Sequence, residues 1–268
     1  MSNYFEGKTV WITGASSGLG EALAKEFAQS KAKLVLSARR EIELERVKKE
    51  CSAFIPTENI MIVPLDITAL AGVEAQAEKV NQKFGSIDIL VNNAGVSQRA
   101  LIADTSIEVE RKIMEINYFG SLMMTRAVLP YMRKQKGGHL VIISSLMGKF
   151  GYYRRSSYCA SKHALHGYFE ALRMEELNNN IHVSIICPGF INTKVSENAI
   201  TETGNAYQKK DEGQQNGLSP DYCAKKILNA VRTKRVEVYM GGPELRAVIV
   251  KRLFPRYFFK RIMHVGPK

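Results

Sequence analysis

The sequence predicts an α/β fold: a doubly wound, mainly parallel seven-stranded sheet with helices on both faces. Short apolar runs rich in β-branched residues alternate with helical patterns along the chain, as parallel strands joined by right-handed crossovers require. Several of those runs stop at small or polar residues, which suits the ligand-binding carboxyl edge of an open sheet. No repeat, linker or low-complexity block interrupts the pattern, so residues 1–268 read as a single domain.

The first strand is Lys8 to Thr13, with Trp11 read as core. Gly14-Ala15-Ser16-Ser17-Gly18-Leu19-Gly20 follows, then a helical pattern from Glu21 to Ser30. A strand, glycine turn and helix in that order aim backbone N–H groups and the positive end of the helix at the turn, where a pyrophosphate fits. The spacing Gly-x-x-x-Gly-x-Gly departs from the Gly-x-Gly-x-x-Gly fingerprint, and a purely structural turn is the competing reading. The second strand, Lys33 to Ser37, ends at Ala38-Arg39-Arg40. An NAD site would offer an acid about 20 residues after the glycines to hold the ribose hydroxyls, whereas adjacent arginines suit the 2′-phosphate of NADP. A solvated start to the charged helix Glu41 to Glu50 is the alternative.

Ile60 to Leu65 is the third strand, closed by Asp66-Ile67, and a helix is expected from about Ala69 to Phe84. The fourth strand, Ile87 to Val91, runs into Asn92-Asn93-Ala94-Gly95, either a ligand-facing strand end or a simple Asn-rich turn. A long amphipathic helix is expected from roughly Ile107 to Lys136. It contains Asn117, a mediocre helix former that either faces solvent or serves a polar purpose. The fifth strand, His139 to Ile143, ends in Ser144-Ser145, and the next helix carries Tyr158 and Lys162 to about Asn178. Small residues Ala160, Ala164, Gly167 and Ala171 fit that helix for close packing on the sheet or on a partner subunit of a homodimer or homotetramer. Ile181 to Cys187 is the sixth strand, followed by Pro188-Gly189-Phe190-Ile191-Asn192-Thr193. Residues 190–217, polar and with little periodicity from Lys194 onward, read as a mobile substrate lid, a plain surface loop being the rival. Ser219-Pro220 supplies an N-cap and a first-turn proline for a helix to about Lys234, and Val236 to Met240 is the last strand.

Composition narrows the function classes. Apolar residues at 45% and charged residues at 24% are ordinary for a globular protein. The N-terminal residues lack an apolar signal core and no run is long enough to span a bilayer, so the expected compartment is cytoplasmic. Cys51, Cys159, Cys187 and Cys223 are irregularly spaced, which fits reduced thiols and no metal site. The formal net charge of +12 admits a phosphorylated cofactor, an anionic membrane surface or nucleic acid. No nucleic-acid motif is present, so nucleic acid is not expected as a partner.

Tyr158-Cys159-Ala160-Ser161-Lys162 holds the chemistry. A Tyr and a Lys four residues apart share one helix face, and a neighbouring ammonium lowers a phenol's pKa toward the working range. A plain helix surface is the bland alternative. Cys159, between them, reads as packing, as does Cys187.

The ordered set Thr13-Gly14-x-x-x-Gly18-x-Gly20, Asn92-Asn93-Ala94-Gly95, a Ser, and Tyr158-x-x-x-Lys162 resembles the short-chain dehydrogenase/reductase family, with a match over about residues 7 to 242. The resemblance implies a Rossmann-like fold and a catalytic tetrad of Asn117, Ser145, Tyr158 and Lys162. Ser145 is chosen over Ser144 because the family places its Ser thirteen residues before the Tyr. By the same resemblance Tyr158 moves the proton, Lys162 keeps it acidic and holds the nicotinamide ribose, Ser145 steadies the oxyanion, and Asn117 positions a water. Gly14, Ser16, Ser17, Gly18, Leu19 and Gly20 would then line the cofactor, with Asp66 and Ile67 at adenine, Asn93 and Gly95 near ribose, and Pro188, Gly189, Ile191 and Thr193 at the carboxamide. Arg39 and Arg40 look like the basic residues of NADP-using members. The implied activity is NADP-dependent interconversion of a small-molecule carbonyl and a secondary alcohol. A nucleotide-binding scaffold or membrane-surface protein with a vestigial site is the alternative from another class.

Two stretches lie outside that pattern. Tyr152-Tyr153-Arg154-Arg155 reads as a solvated loop, with a border for an acidic substrate as its rival. The tail 245–268 carries Arg246, Lys251, Arg252, Arg256, Lys260, Arg261 and Lys268 with no acid, interleaved with aromatic and aliphatic residues and split by Pro255. It reads either as a basic interfacial helix in peripheral contact with a membrane, or as a tail whose apolar face caps the substrate cleft or a subunit interface.

Overall fold

The computed structural model describes residues 4–69, 72–209 and 211–265. Seven strands form one sheet: β1 (Thr9–Thr13), β2 (Lys33–Ala38), β3 (Ile60–Pro64), β4 (Ile89–Asn92), β5 (Gly138–Ile143), β6 (Ile181–Pro188) and β7 (Glu237–Met240). Their order is β3-β2-β1-β4-β5-β6-β7, and every pairing is parallel. The order reverses between β1 and β4, where an open parallel sheet leaves a crevice at its carboxyl edge.

Strand alternation divides the core into two layers. Val10, Ile12, Leu34, Leu36, Val141 and Ile143 point to one face and pack under α1 (Gly18–Gln29), α2 (Glu41–Cys51) and, further along the chain, the helix Pro220–Arg232. Trp11, Val35, Leu90, Leu140 and Ile142 point to the other, against α3 (Val73–Phe84), the helix Gly120–Lys134 and the helix Ser156–Glu175. Trp11 is fully buried and its indole N–H donates to Ser37 Oγ at 2.8 Å, which satisfies its only polar atom.

Several boundaries differ from those read in the sequence. The expected helix at 69–84 begins at Val73, after Gly72 at φ +108°; part of its expected first turn, residues 70 and 71, lies outside the described residues. The expected single helix at 107–136 is three pieces: α4 (Ile107–Met114), a π-helical stretch Glu115–Phe119, and α5 (Gly120–Lys134). The π stretch holds Asn117, which is wholly buried, so of its two sequence readings the polar purpose stands. α6 (Ser156–Glu175) ends in a tight turn at Leu177–Asn179. The lid region is not structureless: Ile191 bridges Leu218, Ile200 bridges both Gln98 and Ala206, and a short α7 (Glu212–Gln215) precedes α8 (Pro220–Arg232). Ser219 caps α8, its Oγ accepting from Tyr222 N at 3.2 Å. The tail is split at Pro255 into α9 (Arg246–Leu253) and α10 (Pro255–Ile262), with Lys268 outside the described residues.

Candidate active site

One cleft of about 2070 Å³ opens along the carboxyl edge of the sheet. Of the residues singled out from the sequence, Gly14, Ser16, Ser17, Gly18, Leu19, Arg39, Arg40, Asp66, Ile67, Asn93, Gly95, Ser145, Tyr158, Lys162, Pro188, Gly189, Ile191 and Thr193 all line it. Gly20 and Asn117 do not, and each acts from behind the wall.

The glycine turn is built for close approach of backbone to backbone. A Cβ on Gly20 would stand 2.1 Å from Gly14 O, so no side chain fits there, and Gly14 itself sits at φ +66°. Thr13 Oγ1 accepts from the backbone N–H groups of Asn93 at 3.0 Å and Ala94 at 3.1 Å, while Asn93 Nδ2 donates to Thr13 O and Gly14 O at 2.9 and 3.2 Å. The amide nitrogen of Asn93 therefore braces the turn. Ser17 occupies the N-cap of α1 without a side-chain cap bond, so the first-turn N–H groups face the cleft as an anion cradle.

Arg39 and Arg40 are exposed at the end of β2. Asp66 across the cleft accepts from Thr68 N at 3.0 Å and Thr68 Oγ1 at 2.8 Å. Those bonds, with a smaller contribution from Arg39, hold its carboxyl below the usual range. Sequence reading missed a third cation here. Arg46 donates to Ser16 O at 3.3 Å and pairs with Glu21 at 2.8 Å, fastening α2 to the glycine turn. Its position mid-helix offers no local signal beyond its charge.

The wall that carries Ser145, Tyr158 and Lys162 is assembled from β5, α6 and the π stretch. Ser145 faces the cleft, its Oγ accepting from Met147 N at 3.2 Å, whereas Ser144 turns inward to His166 Nε2 at 3.0 Å. Lys162 is buried and donates from Nζ to Ile143 O at 2.8 Å. Burial pushes its pKa down to about 8. Tyr158 runs against the sequence reading. Burial raises its phenol above the ordinary range despite an opposing hydrogen bond from Ser145, and the Lys162 Nζ, 5.8 Å from the ring centroid, is engaged elsewhere. The ligand-free phenol is accordingly a protonated acid at neutral pH.

Asn117 spends its amide on the scaffold. Oδ1 accepts from Val96 N at 2.8 Å, and Nδ2 donates to Val96 O at 2.9 Å and Ser161 Oγ at 3.0 Å. Ser161 Oγ in turn donates to Tyr158 O at 2.8 Å, so the loop after β4 is tied to the catalytic turn of α6. The tightness explains Gly95, where a Cβ would lie 3.0 Å from Asn117 Oδ1.

Another residue absent from the sequence reading holds the start of α6. Buried Gln98 accepts with Oε1 from Ser157 N at 2.8 Å and Tyr158 N at 3.3 Å, a helix cap supplied from a distant loop. Arg155 corrects the solvated-loop reading. It is buried, donating to Ser97 Oγ at 2.9 Å and pairing at 2.9 Å with Asp211 from the 190–217 segment, which also pairs with buried Arg99. Two desolvated guanidinium groups thus converge on one carboxylate.

The tail closes the far end of the cleft. Ala247, Val250, Phe258 and Ile262 line it with Arg246 and Arg261, and Phe258 is buried edge-on against Phe150 at 5.5 Å between centroids. This is where the cleft-capping reading placed the tail. Ile249, Leu253, Phe254, Phe259 and Met263 remain exposed on its outer side. At the base of the tail, Glu244 Oε1 fills the space a Cβ on Gly189 would need.

A family model for short chain dehydrogenase matches residues 8–204. Among curated proteins, "Dehydrogenase/reductase SDR family protein 7-like" of Drosophila melanogaster is 42% identical over 260 residues, covering 96% of this chain and 80% of that protein. "Dehydrogenase/reductase SDR family member 7B" of Mus musculus is 41% identical over 261 residues, with the same two coverages. Among solved structures, a short-chain dehydrogenase/reductase from Burkholderia phymatum in complex with NAD superposes with a TM-score of 0.84 at 25% identity, covering 96% of each chain. A short-chain dehydrogenase from Streptomyces avermitilis gives 0.81 at 26%, covering 96% of this chain and 97% of that one.

Proposed function

The chain belongs to the short-chain dehydrogenase/reductase family, and from that premise we propose that it is an NADP-dependent oxidoreductase interconverting a carbonyl and a secondary alcohol, with Tyr158 as general acid and base. The observation that carries this reading is the meeting of Ser145, Tyr158 and Lys162 on one wall of a cleft whose other end is the glycine turn.

The glycine turn and the first turn of α1 would hold the pyrophosphate, and Arg39 and Arg40 the 2′-phosphate. The dinucleotide held there would supply the hydride chemistry. Tyr158, kept protonated by burial, donates its phenolic proton to the carbonyl oxygen in the reductive direction, and Ser145 steadies that oxygen with its hydroxyl. Lys162 supports the tyrosinate that follows by its nearby positive charge. The apolar side chains of Phe150, Val250, Phe258 and Ile262 would shield the reacting carbon from water at the far end.

The test is Tyr158→Phe assayed with NADPH over a panel of steroids, retinoids, acyl-derived ketones and quinones. Turnover should fall by about 10²- to 10⁴-fold while NADPH binding, followed by its fluorescence, is unchanged. Turnover at the wild-type rate would remove Tyr158 from the chemistry.

A further inference from the structure

The two tail helices have one side in use and one side open. Inward, Ala247, Val250, Phe258 and Ile262 line the cleft, and Lys251 Nζ donates to Lys149 O on the body of the protein. Outward, Ile249 and Leu253 share one face of α9, Phe259 and Met263 share one face of α10, and Phe254 stands at the break between them. All five are more than half exposed, from 53% at Phe259 to 73% at Met263. Large apolar side chains exposed singly are ordinary, but this many grouped on two short helices mark an interaction surface.

Charge decides what covers it. Residues 245–268 carry seven Lys and Arg and no acid, against a formal net charge of +12 for the whole chain. Where tail cations have hydrogen-bond partners these are neutral, the Lys149 carbonyl for Lys251 and the Tyr257 hydroxyl for Arg261. Arg256 and Lys260 stand exposed one turn apart on α10, beside Phe259. A two-fold contact with a second copy of the chain would set this face against itself, cation on cation. An anionic lipid surface suits both halves of the pattern, taking the apolar side chains below its headgroups and the cations among them.

We infer that the outer side of α9 and α10 docks on the surface of an anionic lipid bilayer. Each helix has eight residues, about 12 Å of axis against a hydrocarbon core of about 30 Å, so the pair lies in the headgroup plane. Among the described residues no helix is long and apolar enough to cross a membrane. Attachment therefore rests on the inserted side chains and the cations together, and it is reversible. Because the inner sides of the same two helices wall the cleft, docking brings the apolar end of the cleft to the bilayer.

The experiment co-sediments the full-length protein with vesicles of phosphatidylcholine alone and of equimolar phosphatidylcholine and phosphatidylglycerol. Partitioning should be at least about tenfold stronger on the anionic vesicles, and should weaken as salt rises from about 0.1 to 1 M and the Debye length shrinks from about 10 to 3 Å. Arg256→Gln with Lys260→Gln should weaken it about thirtyfold, roughly fivefold for each cation. Leu253→Ser with Phe259→Ser should weaken it at least about tenfold. All four side chains are exposed, so both variants should melt at the wild-type temperature. Equal partitioning on neutral and anionic vesicles, or indifference to either double change, would overturn the inference. So would a lipid-free dimer that Leu253→Ser with Phe259→Ser dissociates, which gives the face to a second copy. Capture of polyglutamate without capture of anionic vesicles would overturn it as well, in favour of an acidic protein.

Discussion

Two pairs of arginines near the cleft are held in opposite ways: Arg39, Arg40 and Arg155 line it, and Arg99 lies behind Arg155. Arg39 and Arg40 stand exposed at the end of β2, with Asp66 near enough to feel the Arg39 charge. Arg99 and Arg155 are buried and share Asp211 from the 190–217 segment. An exposed guanidinium stays available to an incoming phosphate, whereas a buried one must be paired within the protein and becomes structure. The first pair is open to solvent at the cleft, and the second ties the 190–217 segment to the loop after β4 and the start of α6.

The sharpest way to break this contrast is Asp211→Ala, which leaves two buried cations without their partner. It should lower stability by about 3 kcal/mol in urea denaturation. A loss no larger than that of an ordinary surface change would mean that Arg99 and Arg155 are solvated after all. Next in size is the double change Arg39→Ala with Arg40→Ala. It should weaken NADPH binding by about 2 kcal/mol, roughly thirtyfold, with NADH binding and folding stability nearly unchanged. Equal losses for both dinucleotides would show that these arginines read no 2′-phosphate.

The smallest effect concerns Lys162, a buried cation whose hydrogen-bond partner is the Ile143 carbonyl rather than a carboxylate. Its pKa is pushed down to about 8 from the ordinary 10.5. Between those values the unfolded chain binds a proton that the folded chain has lost, so this residue's contribution to stability rises with pH and the full burial penalty falls below pH 8. Over one pH unit above 8 the rise should be about 1 kcal/mol in the wild type relative to Lys162→Met, measured by urea denaturation. A difference that does not change with pH would place the ammonium in contact with water.

What the sequence made legible is what is local. The glycine turn, Asn93, Ser145, Tyr158 and Lys162 lie at strand ends or within one helix turn, so spacing and the family resemblance located them together on the cleft. The seven strands were equally readable, because buried parallel strands are short apolar runs bounded by turns. The supports were not readable. Arg99 and Asp211 are 112 residues apart, and Gln98 caps a helix that begins 58 residues later, pairings that only the fold creates. Tyr158 is a related case. Spacing shows the lysine four residues away, whereas the burial that raises the phenol belongs to the whole assembled wall. Asn117 lay between these cases, since its burial could not be told from a helical pattern that reads equally well with the residue facing out.

Because every strand runs the same way, the sheet has two unlike rims. The chemistry-bearing residues gather at one. At the other, Lys136 and Lys234 sit exposed in the turns that lead into β5 and β7, and Asp88 there accepts from Thr9 N and Ser86 Oγ, each at 2.8 Å. A surface linker, dye or fusion partner joined through those two lysines would leave the cleft mouth facing free solution, so this rim is the handle by which the molecule can be immobilised while it works.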